Sequence, residues 1–179
     1  MAIEIEDRFK GWDEDKLRSY LAFLLHHYRV MDAFWFLNVE KSHGHEEACR
    51  INELVWGKAT ELAVKDLKSR FFDREKGLGG FVKALKVWPW TILVDYRIEE
   101  REEEVLVSVD HCPPQEARLA RGLGEYDCKA MHLAEFESFA LGIDPRIRTE
   151  CLFAPLDDHP EDCFCCWRFT LRTGFKTSP

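Results

Sequence analysis

The stretch WTILVDYRIEEREEEVLVSV, residues 90–109, decides the fold. Before it, apolar residues recur at helical spacing. Within it, Trp90, Ile92, Val94, Tyr96 and Ile98 alternate against Thr91, Asp95 and Arg97, and after the charged turn Glu99 to Glu103 the valines 105, 107 and 109 keep the period of two. Successive side chains of a strand point to opposite faces, so the pattern predicts an antiparallel hairpin with one buried face.

Working outward from there, the N-terminal half reads as helices. Asp13 can cap a helix from near Glu14 that carries Leu17, Tyr20, Leu21, Leu24 and Leu25. A second helical stretch runs from about Val30 to Lys41 and stops at Gly44, and a third from near His45 to about Arg70. Gly77, Gly79 and Gly80 precede a short apolar helix, Phe81 to Val87, ended by Pro89. On the other side, Pro113 and Pro114 break the second strand and start a short helix through Leu119. Asp127 is placed to cap a helix from Cys128 to Leu141. Strands follow near Ile147 to Phe153 and Phe164 to Leu171, joined by an acidic, exposed loop from Ala154 to Asp162. The prediction is an α+β fold in a single domain over 1–179. A helical part at 1–86 precedes an antiparallel sheet with helices at 87–179, and together they enclose a small-molecule pocket.

Composition narrows the partners. With 33 acidic against 25 basic residues and a net charge of −8, and with its cations dispersed, the chain is not expected to bind nucleic acid or an anionic membrane. It lacks a long apolar run, and its first residues are acidic where a secretory signal is basic and then apolar, so a cytoplasmic location is expected. A small-molecule ligand is the expected partner, and a homodimer is left open. Seven cysteines at 49, 112, 128, 151, 163, 165 and 166 make an odd number, and no Cys-x-x-Cys pair occurs. In a reducing compartment these are thiols, metal ligands or a redox pair.

Strand parity sorts the cysteines. Cys163, Cys165, Trp167 and Phe169 share the apolar face of the last strand. A hairpin with the preceding strand would bring Cys151 towards Cys163 or Cys165. Parity also carries His111 to the core side at the end of the second strand, with Cys112 beside it. At the start of a helix, Cys128 is placed where the macrodipole favours a thiolate, and His132 is one turn on. Cys128 and His132 are therefore the candidate catalytic pair. Cys112, Cys128, Cys151 and Cys165 form the candidate metal set, whose soft ligands would select zinc or another transition metal. Trp35, Trp56 and His111 are candidate ligand contacts, as is Glu40, a carboxylate on a largely apolar helix that needs a partner if it faces inward. The competing reading makes every thiol a small hydrophobe and the tryptophans plain core.

Several segments carry a resemblance. Val109-Asp110-His111-Cys112-Pro113, Gly124 to Cys128, Glu135-Phe136 to Arg146, and Cys151 with Asp158-His159 and Cys163 to Phe169 look like a prokaryotic family related to the L-2-amino-thiazoline-4-carboxylic acid hydrolase-like proteins and, more distantly, to 4-vinyl reductase domains. The stretch from Phe34 through Glu40, then Gly44 to Trp56, resembles the helical part of the same family. The resemblance implies a sheet and helices around a cavity for small, often apolar molecules. In the sensor relatives a glutamate and cysteines near the last hairpin bind zinc, and Glu150, Cys151, Cys163 and Cys165 occupy similar positions here, although with longer spacing. The hydrolase relatives imply a cysteine nucleophile, for which Cys128 is the candidate. Three functions are therefore expected to compete: a ligand-binding or sensing protein, a cysteine-dependent hydrolase of a small heterocycle or amide, and an interaction module.

Overall fold

A computed structural model describes residues 6–172. Its first long element is a single helix, α1 (Glu14–His43), with Asp13 at its N-cap accepting a 2.8 Å bond from the Lys16 amide. The sequence suggested two helices here. Between Leu25 and Val30 the apolar spacing lapses, but no glycine or proline interrupts the backbone, so the helix continues to Gly44 at φ +88°. After α2 (His45–Phe71) come α3 (Gly77–Leu85) and α4 (Pro89–Val94).

α4 corrects the reading of the deciding stretch. Trp90 to Val94 are helical and only β1 (Arg97–Glu100) is extended, pairing with β2 (Glu104–Val109). Pro89 acts as the first residue of a helix, where its fixed φ fits and its missing N–H costs nothing. The run Ile92-Leu93-Val94 supplies no polar alternation, and Asp95, at φ 59°, ends the turn. Trp90 and Val94, four apart, therefore fall on one face of a helix.

The chain then forms α5 (Pro113–Leu119), α6 (Lys129–Ile143), β3 (Ile147–Phe153) and β4 (Cys165–Leu171). The sheet is antiparallel throughout, in the order β1-β2-β4-β3. The fold is α+β, as the change of period implied. Cys165, Trp167 and Phe169 of β4 are buried, as parity required, and Phe136 of α6 packs on Trp167 and Phe169 with ring centroids 5.2 and 5.4 Å away. Phe81 of α3 meets Phe169 at 4.4 Å. On the far side of α6 lies α2, held close because both helices present small residues. A Cβ on Gly57 would sit 3.3 Å from Ala134, and one on Gly142 only 2.2 Å from Val64 Cγ1. One continuous core runs from Trp56 and Val64 through Phe81 and Phe139 to Val107 and Trp167, joining the helical part to the sheet. Among the described residues no helix is long and apolar enough to cross a membrane.

The loop after β3 is less exposed than its acidity suggested. Ala154 and Pro155 are buried, and Asp157 ties the loop down by accepting from the Ala154 amide at 3.1 Å and from Lys129 Nζ at 2.8 Å.

Candidate functional site

Between α1, α2, α4, α5 and α6 the fold leaves a cavity of about 330 Å³, within the range of small-molecule sites, roughly 300–1,000 Å³. Its depth is given by buried residues, Trp56, Trp90, Tyr96, Tyr126, Cys128, Met131, Glu135 and Cys165. Its rim is given by exposed ones on two helices, Ala33 and Phe34 of α1 facing Pro114, Ala117 and Arg121 at α5. Trp56 and Trp90 pack edge to face at 5.7 Å, and Tyr28 closes a triangle with them at 6.1 and 6.0 Å.

The floor carries the polar groups. Glu135 is 1% exposed and accepts from Trp88 Nε1 at 3.0 Å, while its second oxygen meets His132 Nδ1, also at 3.0 Å. A carboxylate only accepts, so this contact places a proton on Nδ1. His132 stacks on Phe136 at 5.8 Å, which fixes the ring. Asp32 of α1 also lines the cavity. Burial pushes its carboxyl up to about 6, the neighbouring Trp56 indole N–H draws it down in part, and Glu135 adds repulsion. Asn52 lies one turn before Trp56 on α2. It is 4% exposed, and its Oδ1 has no hydrogen-bond partner among the described residues.

Gln115 holds the wall together. Its amide makes two reciprocal 2.9 Å bonds with the backbone of Tyr126, clamping the glycine-rich loop to α5, and its nitrogen reaches Cys128 Sγ at 3.4 Å. Next to it, Glu40 faces inward and has the partners such a carboxylate needs. Arg118 Nη1 donates to both its oxygens at 3.0 and 3.2 Å, and His45 Nδ1 lies 2.6 Å away. Burial raises the Glu40 carboxyl, but these two partners outweigh it and hold it below the usual range. Glu40 is thus a structural tie between α1 and α5, behind the cavity wall, and Arg118 is the member of the pair that lines the cavity.

The structure brings together some of the residues singled out from sequence. Trp56, Cys112, Cys128, His132 and Cys165 all line the cavity. Trp35 is partly exposed and lies off it. His111 is a correction. β2 ends at Val109, so parity no longer governs two residues later, and the imidazole is exposed in a separate polar cleft, 3.3 Å from Glu116. Cys151 is another. The register sets it opposite Trp167 and not Cys165, which leaves it packed at the edge of the core and away from the cavity. Among the described residues no three His, Cys, Asp or Glu side chains are grouped to hold a metal ion, so Cys112, Cys128, Cys151 and Cys165 do not form a ligand set.

Cys128 also differs from expectation. It is the N-cap residue of α6, one position before the first turn, while Asp127 accepts from the Lys129 amide at 3.1 Å. Burial pushes its thiol up to about 12, with Cys112 nearby adding to the effect, and burial pushes Cys112 to about 11 and Cys165 well above an ordinary thiol. Desolvation outweighs the helix terminus here. Nor does His132 hydrogen-bond to it: the bond to the sulfur comes from Gln115. Iodoacetamide at pH 8 should therefore modify Cys128 and Cys165 only as fast as the protein unfolds. Mass spectrometry of the native protein showing rapid labelling of Cys128 would contradict this.

Asp32, Asn52 and Glu135 were missed in the sequence. A signal existed for two of them, because Asp32 and Glu135 are lone acids inside the apolar runs VMDAFWFL and LAEF.

Residues 13–171 match the family of unknown function DUF6125, so the chain belongs to that family. No curated protein matches the chain. No solved structure does either.

Proposed function

We propose that the protein binds a small, largely apolar molecule in the cavity between α1, α5 and α6. The observation that carries this reading is the preformed space itself, about 330 Å³ and lined by Trp56, Trp90, Tyr96 and Tyr126. The shape of the site supports the same reading, with an apolar depth, few converging polar groups and a rim open to solvent. In this reading Cys112, Cys128 and Cys165 are soft, polarizable wall.

The test uses the fluorescent probe 1-anilinonaphthalene-8-sulfonate and a blocking variant. Ala33→Trp adds bulk at the exposed rim, where the core need not accommodate it. The folded wild type should enhance the emission of the probe saturably, and Ala33→Trp should abolish that enhancement at unchanged secondary structure. Equal emission from both proteins, or none from the wild type, would defeat the reading.

A further inference from the structure

The outward side of α1 is apolar where a surface helix is ordinarily polar. Contacts fix which side faces inward: Tyr28 packs on Trp56 and Trp90, Phe36 packs on Tyr126 at 5.1 Å, and Glu40 bonds to Arg118. At 3.6 residues per turn, the opposite side carries Tyr20, Leu24, His27, Met31, Phe34 and Asn38. These recur alternately four and three positions apart, the spacing with which one helix meshes along another. Leu24, Met31 and Phe34 are 41%, 59% and 62% exposed, and His27 and Asn38 are exposed beside them. No charge interrupts this seam, because the charged residues between Arg18 and Glu40 are Arg29 and Asp32, and both line the cavity. Phe23 stacks on Tyr20 at 5.8 Å and on His27 at 6.2 Å, so this end of the seam is ordered before anything covers it.

The exposed area points to what covers the seam. A compact monomer of 21.0 kDa exposes about 9,000 Å², and this chain exposes 11899 Å². With residues 1–5 and 173–179 counted as fully solvated chain, an excess on the order of 1,400 Å² remains on the rest. An interface of standard size takes about 800 Å² from each partner. An uncharged seam meets its own copy without like-charge repulsion, and a two-fold axis asks only for one self-complementary face. An anionic membrane, by contrast, repels a chain of net charge −8.

We propose that two copies of this chain associate through the outward side of α1, the seam from Tyr20 to Asn38 of one packed on that of the other. Phe34 stands both in the seam and on the rim of the cavity, so the second copy lies beside the mouth of the first copy's cavity. The association needs no occupant in the cavity and is independent of the ligand.

Sedimentation equilibrium of the wild type at micromolar concentration should give twice the mass of 21.0 kDa. Leu24→Glu/Met31→Glu sets two charges of each copy in the seam, at positions where a monomer leaves the side chain in water. Association should weaken at least about 100-fold, the scale of losing two central anchors, at unchanged helix content. Leu54→Glu, at an exposed position of α2, should leave the dimer intact. The melting temperature of the wild type should rise with protein concentration, and that of the doubly charged variant should not. A monomeric wild type, a dimer that survives both charges, or one that Leu54→Glu also breaks, would overturn the inference. So would a monomer that sediments with phosphatidylcholine vesicles, which would assign the face to lipid.

Discussion

Replacing Asp32 by asparagine should stabilise the protein at pH 7.5 and leave it unchanged at pH 4. The carboxyl is raised from 3.8 to about 6 by burial first, then by Glu135, with Trp56 and His132 pulling the other way. The folded state therefore holds the proton more tightly than the unfolded chain. Between about pH 4 and 6 the native protein binds more protons than the denatured one, so stability falls as pH rises through that window, and the full penalty is present above it. A shift of this size corresponds to about 2–3 kcal/mol at most, and partial exposure trims it to about 1–2 kcal/mol. Tyr28 and Tyr126 also face this carboxyl, but they titrate far above the window. Urea unfolding at both pH values measures the difference. A variant less stable than wild type at pH 7.5 would mean that Asp32 has a stabilising partner. On the proposed reading, a residue kept at a cost to the empty protein would have its compensation in the bound molecule.

The second large effect concerns the contact on which the cavity floor depends. Gly142→Ala should lower stability by about 2 kcal/mol, even though alanine in a helix interior is worth about 1 kcal/mol over glycine. The new Cβ would lie 2.2 Å from Val64 Cγ1 and 3.2 Å from Cγ2. Val64 is fully buried and β-branched, so it has no rotamer into which to retreat. α6 would have to move off α2, and Glu135 and His132 would move with it. In a Val64→Ala background the same change should be neutral or stabilising, a reversal that a double-mutant cycle by urea denaturation reads directly. Stabilisation by Gly142→Ala alone would show that the two helices are not locked at this point.

How much of this was legible in the sequence depended on whether the deciding interaction was local. The inward face of β4 followed from parity, because alternation is a property of the strand itself, and Cys165, Trp167 and Phe169 are buried as it required; Cys166, on the other face, is buried as well, beside Ser108, which parity did not show. For Glu40 the sequence said only that a carboxylate facing inward would need a partner, and exposure was the better expectation; its inward turn depends on Arg118, 78 positions away. His111 failed because parity was carried past the end of its strand, and Trp90 because a proline that stops one helix can start the next. Cys128 failed for an energetic reason. The rule for helix termini describes a half-solvated thiol, and this one is buried behind Gln115 and Tyr126. Asn52 was hidden for a related reason: it is an ordinary polar residue on a helix until the folded chain shows which face is buried.

Every residue of α1 keeps some exposure to solvent, although the helix spans 30 positions and supplies Val30, Asp32, Ala33, Phe34, Phe36 and Leu37 to the cavity. One wall of the cavity is thus built from a helix that has no fully buried residue. An occupant would give that helix the interior neighbours it now lacks, so that filling the cavity and seating α1 would be one cooperative event, and the bound molecule would serve as a missing piece of the hydrophobic core.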